Sequence, residues 1–236
     1  MMLTGRDRLA MGIDVSANRG LDVVVMAADR TIVWARDRVE PEDVEAMLRE
    51  CEPGVVGIDS PPGPGTEPGR RTRRCEQQLQ EMGINIFSTP SDSDQYATAF
   101  YDWVRVGART FEAAARAGYP RQEQADEVEL RALEVFPHAT DVAIRGCLPP
   151  AGTSKRTTTK RAWRLESLRM AGVDPTGLCV NTRRVETLDS IDAALAALTG
   201  LFALEGDFTA YGMAGDWVVL PGTTTGPFRR RGGRVR

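Results

Sequence analysis

Two stretches of the chain end in the same tripeptide, Gly12-Ile13-Asp14 and Gly57-Ile58-Asp59. Each is a short apolar run that closes on an acid and reads as a strand. If the two strands are neighbours, their axes lie about 4.8 Å apart. Both aspartates then converge at the C-terminal edge of the sheet, where open α/β sheets place ligands. A single Asp at such a point is as readily a turn cap; a matched pair reads better as a site. Glu134 ends a third β-like run, Arg131–Phe136, which Pro137 closes. Asp189 and Asp192 are three residues apart and share one face near the start of the strongest helical pattern in the chain. Asp189 also suits a helix-capping role, whereas Asp192 lies further in, beside the apolar stripe.

Carboxylates gathered this closely repel and raise each other's pKa unless a cation neutralises them. The natural occupants are hard divalent ions with oxygen ligands, Mg²⁺ or Mn²⁺. Two such ions about 3.5–4 Å apart would clamp the attacking water and the leaving oxygen of a phosphodiester in line. Other chemistries are narrowed by composition. His138 is the only histidine, which excludes zinc sites built on several histidines and routes any Ser-His-Asp triad through one residue. The cysteines Cys51, Cys75, Cys147 and Cys179 form no CxxC pair, arguing against structural zinc or a disulfide framework and for a reducing, cytoplasmic setting. No GxxxxGK[ST] occurs, so a P-loop ATPase is excluded.

The elements that would position these acids are legible in outline. Leu9–Val15, Leu21–Ala28 and Thr31–Val39 read as an antiparallel meander with a tight turn at Asp29-Arg30. Pro41–Cys51 reads as an amphipathic helix, with Pro near its start and Val44, Met47 and Leu48 on one face. Strand 54–59 follows, so strand, helix and strand imply a parallel crossover. The Pro- and Gly-rich 60–69 is a loop, Arg70–Met82 a helix, Ile84–Phe87 a short strand or extended segment, and Tyr96–Ala117 a helix. Thr153–Lys160 is a polar, basic loop before a helix over Arg161–Ala171. Thr187–Glu205 is the strongest helix, with Leu188, Ile191, Leu195, Leu198 and Phe202 along one face. Trp217–Leu220 is a terminal strand. The expected fold is α/β: one domain over residues 1–222 and a basic, disordered tail over 223–236.

The 236 residues carry 30 basic and 33 acidic side chains, a formal charge of −3. No global field draws a polyanion, so attraction needs local patches. Three are present: Arg70, Arg71, Arg73 and Arg74; Lys155, Arg156, Lys160, Arg161 and Arg164; and Arg229, Arg230, Arg231, Arg234 and Arg236. Arg70, Arg71, Arg74, Lys155, Lys160 and Arg161 are candidate phosphate contacts, although each patch equally suits a solvated face. No base-reading module is recognisable, so the expected partner is DNA or RNA held through its backbone. Trp103, Phe100 and Phe111 could stack on bases but at helical spacing also suit a core. No apolar run approaches the roughly 18 residues of a transmembrane helix, and Arg6, Asp7 and Arg8 stand where a signal peptide needs an apolar core. A homodimer is left open.

Taken together, GID ending at Asp14, GIDSPPG at residues 57–63, Arg74-Cys75-Glu76, the E-x-x-P of Glu134–Pro137 and the Asp189–Leu195 helix carrying Asp192-Ala193 resemble an RNase H-like nuclease family. The resemblance is to the predicted RNase H-like nucleases of domain-of-unknown-function family 429, near the Holliday-junction resolvase branch, and it spans about residues 11–220. It implies a five-stranded mixed sheet, three antiparallel strands and then parallel ones, with the first and fourth strands adjacent. It also implies that Asp14, Asp59, Glu134 and Asp192 bind metal and serve catalysis, with Asp189 a fifth metal ligand. The family often carries an acid after the E-x-x-P proline; here stands His138, as a proton shuttle or a loop residue. Fold alone does not fix function. Two further readings stand beside the nuclease: a nucleotide-binding protein of the actin-like ATPase fold, and a non-catalytic RNase H-like binding module. The first would need a glycine-rich turn after Asp14, where Val15-Ser16-Ala17 stands instead. The second predicts little stabilisation by Mg²⁺ or Mn²⁺.

Overall fold

The computed structural model describes residues 9–91, 96–153, 157–178, 186–223 and 227–230. Strands β1 (Leu9–Asp14), β2 (Leu21–Ala27) and β3 (Ile32–Val39) form the anticipated antiparallel meander. A 3₁₀ turn at Pro41–Asp43 leads into helix α1 (Val44–Cys51), and β4 (Val55–Asp59) then pairs parallel to β1. Next come α2 (Arg74–Glu81), α3 (Asp102–Arg116), β5 (Ala132–Val135), α4 (Pro137–Arg145), α5 (Thr157–Met170) and α6 (Leu188–Leu204). The hairpin β6 (Phe208–Met213) and β7 (Asp216–Pro221) completes one mixed sheet, ordered β3-β2-β1-β4-β5-β7-β6.

The sheet thus has seven strands rather than the expected five. The unanticipated β6 is a half-buried edge strand interrupted by Gly212, so its apolar alternation is weak; its pairing with β7 defines it. Helix α4 also escapes a reading in which Pro137 only ends β5. Proline at the first helical position lacks nothing a helix needs there, so the same residue starts α4. Helix α2 begins at Arg74, not Arg70, and Thr157–Lys160, part of the expected loop, is helical. Ile84–Phe87 belongs to no strand or helix. Part of the expected tail is docked: the Phe228 N–H donates to the Met82 carbonyl at 2.9 Å, and Arg230 bridges Leu148. The rest of that tail lies outside the described residues.

Alternation along the strands divides the core between the sheet's two faces. Ala10, Val24, Val55, Leu133 and Val135 face α5 and α6; Met11, Ile13, Val23, Val56 and Ile58 face α1 and α3. Helix α6 is apolar nearly all round because it is covered on both sides, by the sheet beneath and by α4 and α5 above. Its approach to the sheet explains the glycines of the two tripeptides. A β-carbon on Gly12 would stand 2.0 Å from the Ala193 carbonyl oxygen and 2.2 Å from the Ala197 nitrogen; one on Gly57 would stand 2.5 Å from the Ala196 carbonyl oxygen. These contacts are with helix backbone, which cannot swing aside. Gly12→Ala is expected to cost about 3 kcal/mol or more, seen as a lower urea midpoint. An unchanged midpoint would contradict this packing.

Candidate functional site

Glycine-mediated contact between α6 and the sheet sets the position of the acids. Asp14 and Asp59 are register partners on adjacent parallel strands, two residues beyond Gly12 and Gly57, so all four point to the α6 face. Asp192 precedes Ala193, the residue whose carbonyl lies over Gly12. The start of α6 is fixed by a reciprocal cap: the Ser190 N–H donates to Thr187 Oγ1, and the Thr187 N–H donates to Ser190 Oγ, both at 3.0 Å. Asp14, Asp59 and Asp192 consequently offer one carboxylate oxygen each, all within 4.8 Å of one another.

Burial pushes the Asp14 carboxyl well above its usual range, and Asp59, Asp189 and Asp22 push it further, against a smaller opposing pull from Arg164. Asp59 is raised to about 6, chiefly by burial, and shares a hydrogen bond with Asp14. Two carboxyls in such contact require a proton or a cation between them. Arg164 is the nearest fixed cation; its guanidinium touches Asp192 on one side and sits 3.2 Å from Asp141 on the other. Half-buried Lys160 stands close enough to feel Asp59, Asp14 and Asp141, although burial and Arg164 lower its pKa. A donor set of carboxylate oxygens alone, with Asp14 and Asp59 raised chiefly by burial, fits a hard divalent cation.

The same shifts fix a pH dependence. Between about pH 4 and 6 the folded state holds a proton on Asp59 that the unfolded chain has released, so stability falls as pH rises. Glu134, raised to about 7, and Asp141, raised to about 6, act in the same direction. His138, lowered to about 4 by burial and by Arg164 and Lys160, acts in the opposite one. The carboxyls outnumber the imidazole. In EDTA the melting temperature is expected to fall by on the order of 5–10 °C from pH 4 to pH 8, and Asp59→Asn should flatten the slope. A melting temperature that climbs throughout that range would contradict the assignment.

Glu134 stands apart from this cluster, contrary to the expectation that it joins the ligand set. It is the register partner of Ile58, one residue before Asp59, so it projects from the opposite face of the sheet. There Arg73 grips it bidentately, with Nη1 donating to Oε2 at 2.8 Å and Nη2 to Oε1 at 2.6 Å. Arg73 also reaches Glu76 at 2.8 Å and Asp216 at 3.1 Å, all of them buried. Asp189 lies outside the three-oxygen group, its carboxylate 2.7 Å from Arg19.

Of the candidate phosphate contacts among the described residues, only Lys160 is brought against the acids. Arg70 is exposed and paired with Glu67 at 3.2 Å, while Arg71 and Arg74 are exposed at the start of α2. Arg161 donates to the Glu186 carbonyl at 3.3 Å, and Lys155 lies outside the described residues. Arg73 and Arg164, counted among the basic patches, are buried counter-ions rather than free surface cations. His138 lies on α4, not in a loop, and Phe111 is core whereas Phe100 is exposed. Asp22, Asp141 and Asp216 passed unnoticed in the sequence; Asp22 is opposite Asp14 on β2, which the strand alternation could have revealed. Cys51, Cys75 and Cys147 are free thiols. Among the described residues no helix is long and apolar enough to cross a membrane.

A sequence model of a family described as "Protein of unknown function (DUF429)" matches residues 12–214, from β1 to the β6–β7 turn. No curated protein and no solved structure matches the chain.

Proposed function

The chain belongs to the family of proteins of unknown function DUF429, and from that premise we propose that it is a metal-dependent nuclease of RNase H-like type. The observation that carries this reading is the convergence of Asp14, Asp59 and Asp192, with one oxygen each inside 4.8 Å. The adjacency of β1 and β4 within a mixed sheet supports the RNase H-like comparison. Asp14, Asp59 and Asp192 would hold Mg²⁺ or Mn²⁺, and Glu134 serves the opposite face of the sheet instead. Bound there, such ions supply Lewis-acid activation of water and of the phosphoryl group.

The chain's own residues do the rest. Lys160 Nζ provides positive charge at the edge of the acidic cluster, beside the Arg164 guanidinium that is already paired with Asp192. Arg164 fixes the Asp192 carboxylate while also holding Asp141. His138 is neutral near pH 7, so its ring offers a hydrogen bond rather than a charge to whatever lies beside Lys160. Nucleic acid is the proposed partner, contacted through phosphates. Labelled DNA and RNA incubated with the full chain in Mg²⁺, Mn²⁺ or EDTA test the reading: cleavage with either ion and none in EDTA is expected. Intact substrates under all conditions, with the protein folded, would overturn it.

A further inference from the structure

Beside the carboxylate cluster lies a cavity of about 340 Å³ whose lining the reading above does not use. Lys160 and Arg164 form the wall it shares with the acids, and His138, Trp163, Phe87 and Arg230 also line it. Asp141, the acid in this lining, is already taken up by Arg164 at 3.2 Å, which leaves Lys160 and the exposed Arg230 as its cationic features. Phe87 is 65% exposed and meets the 58% exposed Phe100 edge to face, with ring centroids 5.9 Å apart. Phe100 is braced in turn by Tyr101 at 4.9 Å, and the Tyr101 hydroxyl donates to the Ser88 carbonyl at 3.1 Å. Two large apolar rings held in water, Phe87 at the cavity and Phe100 against it, form an unusual surface, because exposed aromatics are a cost unless something covers them.

Resting on the nuclease reading, we propose that Phe87 and Phe100 are a stacking platform for unpaired bases, so that the substrate is single-stranded nucleic acid threaded past Arg230 and Lys160 toward Asp14, Asp59 and Asp192. An aromatic ring can stack only on a base whose face is free, and in a duplex every internal face is already covered. The cavity has the size of a small-ligand site and takes one extruded nucleotide, not the width of a double helix. Cations flanking aromatics is the pattern by which single strands are bound without base reading: charge tracks the backbone while rings take successive bases.

The test is fluorescence anisotropy of a labelled single-stranded oligonucleotide and of the matching duplex with the full chain in EDTA, where cleavage plays no part. Tighter binding of the single strand is expected. Phe87→Ala and Phe100→Ala should each weaken it by about 5- to 150-fold, the equivalent of about 1–3 kcal/mol per stacked base. Duplex binding should be unmoved and Phe87→Tyr should bind normally. Both rings are exposed, so the alanine variants should fold, as circular dichroism will verify. Equal affinity for single strand and duplex, absence of single-strand binding, or alanine variants that bind like wild type would each overturn the platform. Such a result leaves the nuclease reading to be judged by metal-dependent cleavage; conversely, ring-dependent binding by a chain that cleaves nothing would retain the platform and remove the nuclease.

Discussion

Asp14→Asn will make the metal-free protein more stable and at the same time inactive. Asp14 is buried among Asp59, Asp189 and Asp22, and the fold carries its charge only at a cost, shown by the upward shift of its carboxyl. An amide of the same shape has no charge to desolvate or to be repelled, and can still hydrogen-bond Asp59. In EDTA at pH 7.5 the variant should therefore melt several degrees higher than wild type, given about 2–4 °C per kcal/mol for a chain of this length. With 5–10 mM Mg²⁺, roughly a physiological to assay concentration, wild type should gain stability through ligand linkage while the variant gains little. Cleavage should drop by at least about 10³-fold, the scale of losing a major electrostatic contribution at a reacting phosphate. A variant that melts below wild type in EDTA would mean that Asp14 is a structural acid. One that cleaves normally would mean that the chemistry lies elsewhere.

Arg73→Met is the second large effect, and it separates the two faces of the sheet. Arg73 is the shared counter-ion of Glu76, Glu134 and Asp216, which are all buried. Removing one partner from a buried ionic network leaves charge uncompensated and costs about 3–5 kcal/mol. The cost should grow with pH, because without the guanidinium the three acids must bind protons to stay buried; the folded state then holds more protons than the unfolded chain, and stability declines as pH rises. Adding Glu134→Gln to Arg73→Met should recover part of the loss. Alone, Glu134→Gln should keep the Mg²⁺-dependent rise in melting temperature, since Glu134 lies on the face opposite Asp14 and Asp59. Loss of that rise in Glu134→Gln, with the fold retained, would restore Glu134 to the metal site.

The strands that end in Asp14 and Asp59 were readable because a repeated tripeptide carries its own register: glycine, isoleucine and aspartate fall opposite glycine, isoleucine and aspartate. The glycines have a cause outside their strands, the backbone of α6 lying against them, and that same approach delivers Asp192. Repetition and helical periodicity are local signals, so the convergence of Asp14, Asp59 and Asp192 is legible in them. Glu134 was misplaced because the end of a strand says nothing of which face its last acid takes; that depends on registry with Ile58, a pairing across 76 positions of sequence. The pairing of Arg73 with Glu134 is likewise long-range, and an arginine-rich stretch looks the same whether its members face water or a buried acid. Helix α4 and strand β6 are hidden by punctuation: Pro137 starts a helix where its sequence context suggests only a stop, and Gly212 interrupts a strand that pairing with β7 nevertheless holds.

The central claim is that Asp14, Asp59 and Asp192 form a divalent-cation site, and a calorimetric titration of the full chain with Mn²⁺ near pH 6 tests it most directly. Asp14, its carboxyl raised by burial, and Asp59, with a pKa of about 6, hold protons in the metal-free state, so the ion must displace them and the heat should depend on the buffer's own protonation enthalpy. Saturable binding with proton release is expected in wild type, and loss of both in Asp14→Asn and Asp192→Asn. No saturable binding in wild type, or the same isotherm in both variants, would contradict it.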